Sequence, residues 1–506
     1  MNKGSLCISV CSETSAELFD KIREAEPLAD VIELRFDCLS EDEIDIVLTN
    51  LPTISKKYLL TFRPIEQGGK RDLSVDARNA FWATATKTFS DRQLLIDHES
   101  DIRIDSDNDL HQTFISHHDF TGVPDDLNSL HAKFAELDGE MVKLAVRVDS
   151  SEDAVPLWRL LKNVAAQGKQ IIPIAMGEGG KWTRTLGLAY GAFLTFAALT
   201  PDEATAPGQI SAVDMLDIYR VKQLTENTQV YGILAGDTSY SMSPYIHNAA
   251  FADAAMDRVF VPLQTSDVAN FIRRMVRQQT REVDLNFSGF SVTNPHKQAI
   301  IPQLDEIDET AAKIGAVNTV NIIDGKLHGY NTDAQGFIAP LIEMYGELKN
   351  AHAAVVGAGG AARACVYALK EAGADVTVFA RDLKKAETLA VDMAVNAAAY
   401  DEQISFSQLS SFDIIVNTTP LGTRGAAQDK SIFTADELSS TQLVYDLVYV
   451  PEETRLLREA KIAGCKTLGG LEMLIGQAVR QFEIWTGETP SRQVLANAAR
   501  RRLDSV

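Results

Sequence analysis

Short apolar runs alternate with charged, helix-like stretches over about the first 220 residues of the chain. The apolar runs have the length of strands, and stretches such as 16–25 and 154–167 between them have a helical composition. The eight runs cover residues 6–10, 31–36, 58–62, 94–96, 113–116, 141–148, 170–175 and 193–199. Eight such β-then-α units predict a (β/α)8 barrel, and a doubly wound open sheet is the alternative that the pattern alone permits.

A second α/β pattern follows a polar seam. A helix-like stretch, 211–224, closes the predicted barrel, and the polar residues 225–229 are a plausible linker between domains. Further along, an apolar strand at 352–356 enters a glycine-rich turn, a small-residue helix leaves it, and a second strand follows at 375–379. This arrangement suits a dinucleotide, because the amides of the turn and the helix N-terminus face the pyrophosphate.

Composition indicates several domains and narrows the choice of partners. At 506 residues the chain is too long for one ordinary core, and 45% hydrophobic with 23% charged residues is typical of globular proteins. The 48 basic and 70 acidic residues give a net charge of −22, which argues against a nucleic-acid or anionic-membrane partner. Anionic substrates would therefore need arginine and lysine concentrated in their sites.

The cysteines and the first residues bear on the compartment. The five cysteines are Cys7, Cys11, Cys38, Cys365 and Cys465. They are scattered, without a Cys-x-x-Cys pair, which favours buried thiols in a reducing cytosol. No signal-peptide pattern precedes the first strand, and no apolar stretch reaches the roughly 20 residues that a membrane-spanning helix needs. We therefore expect a cytoplasmic protein; no metal site is predicted, and the oligomeric state is not specified.

Two lysines stand in opposite chemical settings. Lys143 interrupts the apolar run 141–146, where an ammonium is unfavourable unless it is paired or neutralised. Desolvation lowers the pKa of a lysine, and a neutral amine attacks a carbonyl to form a Schiff base. Lys297 ends a turn-rich segment, 291–297, upstream of the polar cluster 331–333, which suits a lysine that handles a substrate hydroxyl. The chain is thus predicted to carry two unrelated chemistries.

Polar motifs occur in a recognisable order along the barrel half. They are Glu33-Leu34-Arg35, Thr61-Phe62-Arg63-Pro64 with Gly68-Gly69, Ser116-His117-His118-Asp119-Phe120, Val142-Lys143-Leu144-Ala145 and Ala206-Pro207-Gly208-Gln209. Over roughly 220 residues this half resembles the type I 3-dehydroquinate dehydratases. The resemblance implies that Lys143 forms an imine with the ketone of 3-dehydroquinate, with His118 as general base and then general acid. It also implies that Arg184 clamps the substrate carboxylate. The residues it assigns to orienting the substrate or the catalytic pair are Glu33, Arg35, Arg63, Thr205 and Gln209.

Two residues depart from the pattern of that family. Gln67, preceded by Glu66, stands where the family usually has a glutamate immediately before the Gly-Gly. The family residue helps to position His118, so we expect an amide to preserve a hydrogen bond but not its charge. Thr205 replaces the usual serine and keeps a hydroxyl. We expect dehydratase activity to survive both changes, with proton transfer the step that the first affects.

A second set of motifs follows the order of another family. The motifs are Ser241-Met242-Ser243-Pro244, Thr293-Asn294-Pro295-His296-Lys297, Gly315-Ala316-Val317-Asn318-Thr319, Asn331-Thr332-Asp333, Asn417-Thr418-Thr419-Pro420, Tyr445-Asp446-Leu447-Val448-Tyr449 and Leu471-Glu472-Met473-Leu474-Ile475-Gly476-Gln477. Each alone is compatible with ordinary turn chemistry. Together, over residues 229–506, they resemble the shikimate dehydrogenases.

This resemblance implies a proton-donating lysine and a nicotinamide cofactor. Lys297 and Asp333 would be the catalytic pair: Lys297 delivers a proton to the carbonyl of 3-dehydroshikimate while NADPH delivers hydride, and Asp333 keeps Lys297 oriented and charged. The residues assigned to the substrate are Ser241 and Ser243 for its carboxylate, Asn318, Thr293, Asp333 and Gln477 for its hydroxyls, and also Tyr449. Because quinate-preferring members tend to lose one of the paired serines, shikimate is the expected product.

The glycine-rich turn and the end of the strand after it predict the cofactor. The predicted cofactor-binding residues are Gly357, Ala358, Gly359, Gly360, Ala361, Arg381 and Thr418. NAD sites generally place an acid at the end of the second strand, whereas NADP sites place an arginine near the 2′-phosphate. Arg381 therefore favours NADP, with Asp382 an awkward neighbour.

The expected architecture is α/β throughout: a barrel followed by a two-domain dehydrogenase unit. The predicted domains are a dehydratase barrel at 1–224, a substrate domain at 229–340 with a C-terminal helix at 475–506, and a Rossmann NADP domain at 341–474. The expected function is a bifunctional enzyme for two consecutive steps, from 3-dehydroquinate to 3-dehydroshikimate and on to shikimate. The alternatives are a quinate- or shikimate-sensing protein without turnover and a dehydrogenase whose barrel is impaired by Gln67.

Overall fold

The computed structural model describes residues 2–102, 104, 109–137, 141–400 and 409–504. These residues form two compact units. The first comprises residues 1–232, 237–240 and 257–287, and the second comprises 233–236, 241–256 and 288–506. No helix in the described part of the chain is long and apolar enough to cross a membrane.

The first unit is built on an eight-stranded parallel sheet. Its strands are β1 Ser5–Val10, β2 Val31–Arg35, β3 Lys57–Thr61, β4 Leu94–Glu99, β5 His111–Asp119, β6 Met141–Arg147, β7 Ile171–Met176 and β8 Leu194–Ala198, in the order β7-β6-β5-β4-β3-β2-β1-β8. β1 pairs with β8, and the N–H of Phe193 donates to the carbonyl of Ile171 at 3.0 Å beside β7. The sheet is thus a nearly closed barrel, as predicted, and not an open sheet.

Helices follow most of these strands. They are α1 Ser15–Ala25, α2 Glu41–Asn50, α3 Val75–Thr88, α4 Leu127–Ala135, α5 Val155–Ala166 and α6 Lys181–Leu186. In α1 the buried residues Leu18, Ile22 and Ala25 recur at helical spacing, and the side chain of Thr14 caps the first turn. The predicted helix 211–224 is much shorter, with a π-helical turn at Asp214–Ile218.

Two strands run further than the apolar pattern indicates. β4 continues past residue 96 through Asp97-His98-Glu99, and β5 continues past residue 116 to Asp119. Neighbouring parallel strands satisfy the backbone of these polar residues, so the strands do not end where the side chains become polar. Lys143 is the third residue of β6 and pairs in register with Ser116, which places it inside the barrel and not in a following loop.

The predicted linker is less free than its polar composition suggests. Thr228 is buried, and its hydroxyl donates to Asp257 at 2.7 Å. Nearby, the side-chain amide of Asn286 donates to the carbonyl of Asn227 at 2.9 Å. Residues 225–229 therefore form part of the first unit by hydrogen bonds that no local pattern in the sequence announces.

Most of the remaining strands and helices lie in the second unit. The strands from here on are β9 Gln229–Ala235, β10 Arg258–Gln264, β11 Phe287–Val292, β12 Glu306–Ile307, β13 Thr319–Ile323, β14 Lys326–Tyr330, β15 His352–Val356, β16 Asp375–Ala380, β17 Asn396–Ala399, β18 Ile414–Asn417, β19 Leu443–Asp446 and β20 Lys466–Gly469. The helices are α7 Ser243–Asp253, α8 Val268–Phe271, α9 His296–Ala299, α10 Glu309–Ile314, α11 Asp333–Tyr345, α12 Gly360–Glu371, α13 Leu383–Met393, α14 Arg455–Ile462, α15 Gly470–Thr486 and α16 Arg492–Asp504. Of these, β10 and α8 fall within the first unit, as do residues 229–232 of β9 and Phe287 of β11.

The last six strands form a parallel sheet in the order β17-β16-β15-β18-β19-β20. Counted from β15, this is the doubly wound order 3-2-1-4-5-6, which reverses direction between its first and fourth strands. Apolar residues of α12 and α13 pack against the sheet around Val355, Val378 and Val416. A ligand site is expected at the carboxyl ends of β15 and β18, where the order reverses.

The predicted C-terminal helix is two helices. α15 ends at Thr486 because Gly487 takes a left-handed conformation, with φ of 75°, that favours glycine. In the first half of α15, Gly476 lies against α11, and a Cβ added to Gly476 would be 3.1 Å from the Cα of Gly336. α11 and α15 pack closely because each carries a glycine at the point of contact.

The cysteines are not all free thiols, contrary to the prediction. Cys11 and Cys38 form a disulfide that ties the loop after β1 to the residues after β2. Cys7, Cys365 and Cys465 are free and buried, as expected. No spacing pattern marks the pair, because the two cysteines are 27 residues apart and meet only when β1 and β2 align.

Candidate active sites

A cavity at the carboxyl end of the barrel contains every barrel residue predicted for the site. Those residues are Glu33, Arg35, Arg63, His118, Lys143, Arg184, Thr205 and Gln209. Ser9, Gln67, Phe120 and Phe196 line the same cavity. The residues come from many strands and loops, and they converge because parallel strands of a barrel all end on one face.

Lys143 is buried in this cavity with a carboxylate partner. Its Nζ lies 2.6 Å from Oδ2 of Asp97, and 4.3 Å from the ring centroid of Phe196. Burial and the nearby Arg63 guanidinium lower the pKa of Lys143, and Asp97 opposes them. The ammonium in an apolar strand is thus paired, as the sequence required, and it loses its proton more readily than an exposed lysine.

The two adjacent histidines face opposite sides of β5, as neighbours on a strand must. His118 lines the cavity, whereas the ring of His117 packs against Phe134 with centroids 5.4 Å apart. Burial, with Arg63 and Lys143, holds the pKa of His118 well below its ordinary value, so the imidazole is neutral and able to accept a proton. The Nδ1 of His118 has no hydrogen-bond partner among the described residues.

Gln67 supplies the hydrogen bond expected of it. Its Oε1 accepts from the backbone N–H of His118 at 2.9 Å. The amide thus fixes the strand end that carries His118 but brings no negative charge to the imidazole. The missing charge is the physical difference from a glutamate at this position.

His118→Ala is expected to lower dehydratase turnover by about 10²–10⁴-fold, the scale of general acid–base catalysis, while imine formation on Lys143 persists. His117→Ala is the matched control, and we expect its loss to be smaller by at least an order of magnitude, since that ring packs on Phe134. Steady-state kinetics of both variants checks this. Equal losses would show that the geometric distinction between the two rings is wrong.

Three arginines of the described residues line the cavity, and they differ in their partners. Arg35 forms a bidentate pair with Asp37, and Arg63 pairs with Asp97 and Glu99. No carboxylate among the described residues pairs with Arg184; it donates to the carbonyl of Pro207 at 3.3 Å. Burial lowers the pKa of Arg184 to about 10. A buried guanidinium in this state is ready for an anion from solution.

The remaining contacts of the cavity order the loops around it. The side chain of Gln209 accepts from the backbone N–H of Thr205 at 2.7 Å. Glu33 accepts from the hydroxyls of Ser9 and Thr61. Ser9 and Asp97 were not predicted for the site. Both lie at the carboxyl end of a strand, so extending the strand-end rule to β1 and to the full length of β4 would have found them.

A second cluster joins the carboxyl end of β11 to the start of α11. The Nζ of Lys297 lies 2.5 Å from Oδ2 of Asp333. The side-chain amide of Asn318 donates to Oδ1 of Asp333 at 2.8 Å and to the hydroxyl of Thr332 at 2.9 Å. Asn331 in turn accepts from the backbone N–H of Asp333 at 3.0 Å. The predicted pair is therefore in contact, and its carboxylate is fixed from several sides.

The other residues predicted for this substrate lie on neighbouring elements of the second unit. Ser243 is the first residue of α7, and its N–H donates to the hydroxyl of Ser241 at 3.3 Å. Thr293 follows β11, Tyr449 follows β19, and Gln477 is buried on α15. The structure brings Asn318 into direct contact with Asp333, and it places the rest on these adjoining elements.

The glycine-rich turn fits a dinucleotide pyrophosphate. Gly357 has a φ of 122°, and a Cβ there would lie 2.2 Å from the hydroxyl of Thr418, so a side chain is excluded. Thr418 is held by Val356, whose carbonyl accepts its N–H at 2.9 Å and its hydroxyl at 2.8 Å. Gly359 is the N-cap and Gly360 the first residue of the twelve-residue α12. A helix N-terminus presents backbone N–H groups and the positive end of the helix dipole. A Cβ added to Gly360 would lie 3.1 Å from Cδ of Lys297, so the turn adjoins the Lys297–Asp333 pair.

Arg381 and Asp382, at the end of β16, have different structural roles. Arg381 is exposed at the position where a 2′-phosphate is expected. Asp382 caps α13, where its side chain accepts from the N–H of Lys385 at 3.4 Å. The acidic neighbour that was awkward for a phosphate is thus explained as a helix cap.

Arg381→Ala is expected to raise the KM for NADP by about 10- to 100-fold, because a hydrogen bond to a charged group contributes about 1.5–3 kcal/mol. The KM for NAD should change little, since NAD lacks the 2′-phosphate. Lys384→Ala, one turn away on the exposed start of α13, is the control. Wild-type protein that uses NAD as well as NADP would contradict the assignment.

Family models match both halves of the chain. The model of type I 3-dehydroquinase matches residues 6–226. The model of the shikimate dehydrogenase substrate binding domain matches 233–320, that of shikimate/quinate 5-dehydrogenase matches 341–444, and that of the shikimate 5′-dehydrogenase C-terminal domain matches 470–500. The fold and the two sites therefore define a barrel lyase joined to a nicotinamide-dependent dehydrogenase.

Relatives extend over the whole chain. It is 31% identical to a bifunctional 3-dehydroquinate dehydratase/shikimate dehydrogenase, chloroplastic, of Arabidopsis thaliana, over 96% of this chain and 82% of that protein. The chain belongs to this bifunctional family. Its second half is 38% identical to a shikimate dehydrogenase (NADP(+)) of Methanothermobacter thermautotrophicus, over 56% of this chain and 99% of that one. A crystal structure of shikimate dehydrogenase in complex with NADP+ is 36% identical, covers 56% of this chain and 98% of its own, and superimposes with a TM-score of 0.51.

Proposed function

We propose that the barrel dehydrates 3-dehydroquinate through an imine on Lys143. The observation that carries this is a buried amine of lowered pKa in one cavity with a neutral His118 and with Arg184, which pairs with no carboxylate among the described residues. Arg184 binds the carboxylate of the substrate and thereby directs its ketone toward Lys143. The remaining cavity residues that we assign to orienting the substrate or the catalytic pair are Glu33, Arg35, Arg63, Thr205 and Gln209.

The groups in the cavity account for every atom and proton of the dehydration. The ammonium of Lys143 and the ketone give a protonated imine and water, and the positive nitrogen acidifies the neighbouring carbon. His118 takes the proton from that carbon and returns it to the departing hydroxyl, which leaves as water. Hydrolysis of the imine then restores Lys143 and releases 3-dehydroshikimate.

The second unit reduces 3-dehydroshikimate to shikimate. NADPH, when bound at the glycine-rich turn, supplies the hydride. Lys297 supplies the proton to the carbonyl oxygen, and Asp333 keeps the ammonium in place through the contact of 2.5 Å. Asn318 orients that carboxylate and faces a substrate hydroxyl. NADP as cofactor is supported by Arg381 and by relatives whose names specify NADP(+).

The remaining assignments in the second unit rest on its motifs and their placement. We assign Ser241 and Ser243 to the substrate carboxylate, Thr293, Gln477 and Tyr449 to the rest of the substrate, and Gly357, Ala358, Gly359, Gly360, Ala361 and Thr418 to the cofactor. We assign a dehydratase domain to 1–224, a substrate domain to 229–340 with 475–506, and an NADP domain to 341–474. We also propose a cytoplasmic location, which cell fractionation tests; the Arabidopsis relative is named chloroplastic.

The test supplies wild-type protein with 3-dehydroquinate and NADPH together. We expect shikimate to appear, with one NADPH consumed for each molecule formed. Accumulation of 3-dehydroshikimate without NADPH oxidation would show that the dehydrogenase is inactive. If shikimate forms from added 3-dehydroshikimate but not from 3-dehydroquinate, the barrel is impaired. Binding without either reaction would favour the sensing protein.

A further inference from the structure

Asp97 lies at the centre of the barrel site and belongs to no motif quoted above. It is the fourth residue of β4 and is 1% exposed. One of its oxygens, Oδ2, lies 2.6 Å from Nζ of Lys143 and 2.5 Å from Nη2 of Arg63. The other oxygen, Oδ1, is buried and has no hydrogen-bond partner in the described part of the chain. A single carboxylate thus serves two buried cations.

The charges around Asp97 require it to remain ionised. The charged groups that act on it are Arg63 after β3, Lys143 from β6, His118 from β5 and Glu99 from its own strand. Glu33 from β2 acts on the same Lys143. Burial raises the pKa of Asp97, but Arg63 and Lys143 outweigh burial and hold that pKa below its ordinary value. An isolated buried cation is strongly unfavourable, and removing this carboxylate leaves Lys143 without an ion-pair partner among the described residues and Arg63 with Glu99.

We propose that Asp97 is the positioning residue of the dehydratase: it holds Nζ of Lys143 in place and compensates the cation that this nitrogen carries before and after the imine forms. The inference rests on the proposed dehydration. The ammonium plus the ketone gives the protonated imine plus water, so one positive charge faces Asp97 in both states. A carboxylate fixed in advance stabilises that charge without reorganisation.

Gln67 makes this role more important in this chain. Its amide fixes the backbone of His118 through the bond of 2.9 Å but contributes no charge. Asp97 favours protonation of His118 as well as of Lys143. Since the residue at position 67 is neutral, Asp97 is the carboxylate that acts on both Lys143 and His118.

Asp97→Asn keeps the shape of the side chain and removes its charge. Without the carboxylate the pKa of Lys143 and the pKa of His118 both fall, so the acidic limb of the kcat/KM profile moves to lower pH. The kcat should drop by about 10²–10³-fold, the scale for removing one preorganised electrostatic group, with a smaller change in KM. The matched control is Glu99→Gln on the same strand. Glu99 pairs with Arg63 and Arg78 but not with Lys143, so the acidic limb should stay in place.

Circular dichroism reports whether the variant protein is folded, and the dehydrogenase activity of the same preparation reports the amount of intact second unit. If Asp97→Asn does not fold, Asp97→Glu decides, because it keeps the charge and moves it by one methylene. That variant should retain the acidic limb and lose at least about tenfold in kcat, because effective positioning is lost over small displacements.

An Asp97→Asn variant with the acidic limb and kcat of the wild type would overturn the inference, as would an Asp97→Glu variant with unchanged kcat. Borohydride trapping of the wild type separates this from a failure of the proposed function. If no imine is trapped on wild-type Lys143, the dehydration mechanism itself is wrong. If the imine is trapped and the Asp97 variants behave as the wild type, only the role of Asp97 is refuted.

Discussion

Lys143→Ala is expected to lower dehydratase turnover by on the order of 10⁴-fold or more, the scale seen when a covalent nucleophile is removed. The reason is that no other amine occupies the cavity lined by His118 and Arg184 among the described residues. Reduction of 3-dehydroshikimate should be preserved, since every residue assigned to that reaction lies in the second unit. Parallel assays of the two activities in one preparation measure both effects.

Borohydride reduction with 3-dehydroquinate present identifies the amine directly. Mass spectrometry should place the adduct on Lys143 in the wild type and find none in Lys143→Ala. Lys181→Ala is a matched control, because Lys181 pairs with Glu178 at 2.7 Å and belongs to the same unit. A label that survives Lys143→Ala would end the Schiff-base mechanism.

Lys297→Ala is expected to lower shikimate formation by about 10²–10⁴-fold, because it removes the proton donor to the carbonyl. Dehydration continues, so 3-dehydroshikimate accumulates from 3-dehydroquinate. Chromatography of the products follows both compounds in one reaction. Lys313→Ala serves as the control, since Lys313 is exposed on α10 and paired with Glu309. Loss of dehydration in the Lys297→Ala protein would contradict the separation of the two chemistries.

The barrel and the nucleotide sheet were predictable because each rests on a local, repeated pattern. Apolar runs alternating with helices require a parallel sheet, and Gly357 marks the turn that a dinucleotide needs. The ends of helices and the extent of the linker were less predictable. Gly487 divides the C-terminal helix through its φ of 75°, and Thr228 binds the presumed linker to Asp257 through a contact distant in sequence.

The residues of the two sites were likewise predictable where a local pattern marks them and not where a distant contact does. Lys143 and Lys297 were recognisable because a charge in an apolar run and a lysine in a turn-rich loop each need a chemical reason. Asp97 was missed because the apolar part of β4 ends at Ile96, and only the pairing of β4 with its neighbours shows that the strand continues. The Cys11–Cys38 disulfide was missed because strand alignment, not spacing, brings the two sulfurs together.

If one chain carries two independent sites for consecutive reactions, mixing the two lysine variants should restore the complete sequence of reactions. Lys143→Ala protein and Lys297→Ala protein are each given 3-dehydroquinate and NADPH, alone and then together in one tube. We predict negligible shikimate from either variant alone and restored shikimate formation from the mixture, because one variant makes 3-dehydroshikimate and the other reduces it. A mixture of folded variants that forms no shikimate would contradict the independence of the two sites.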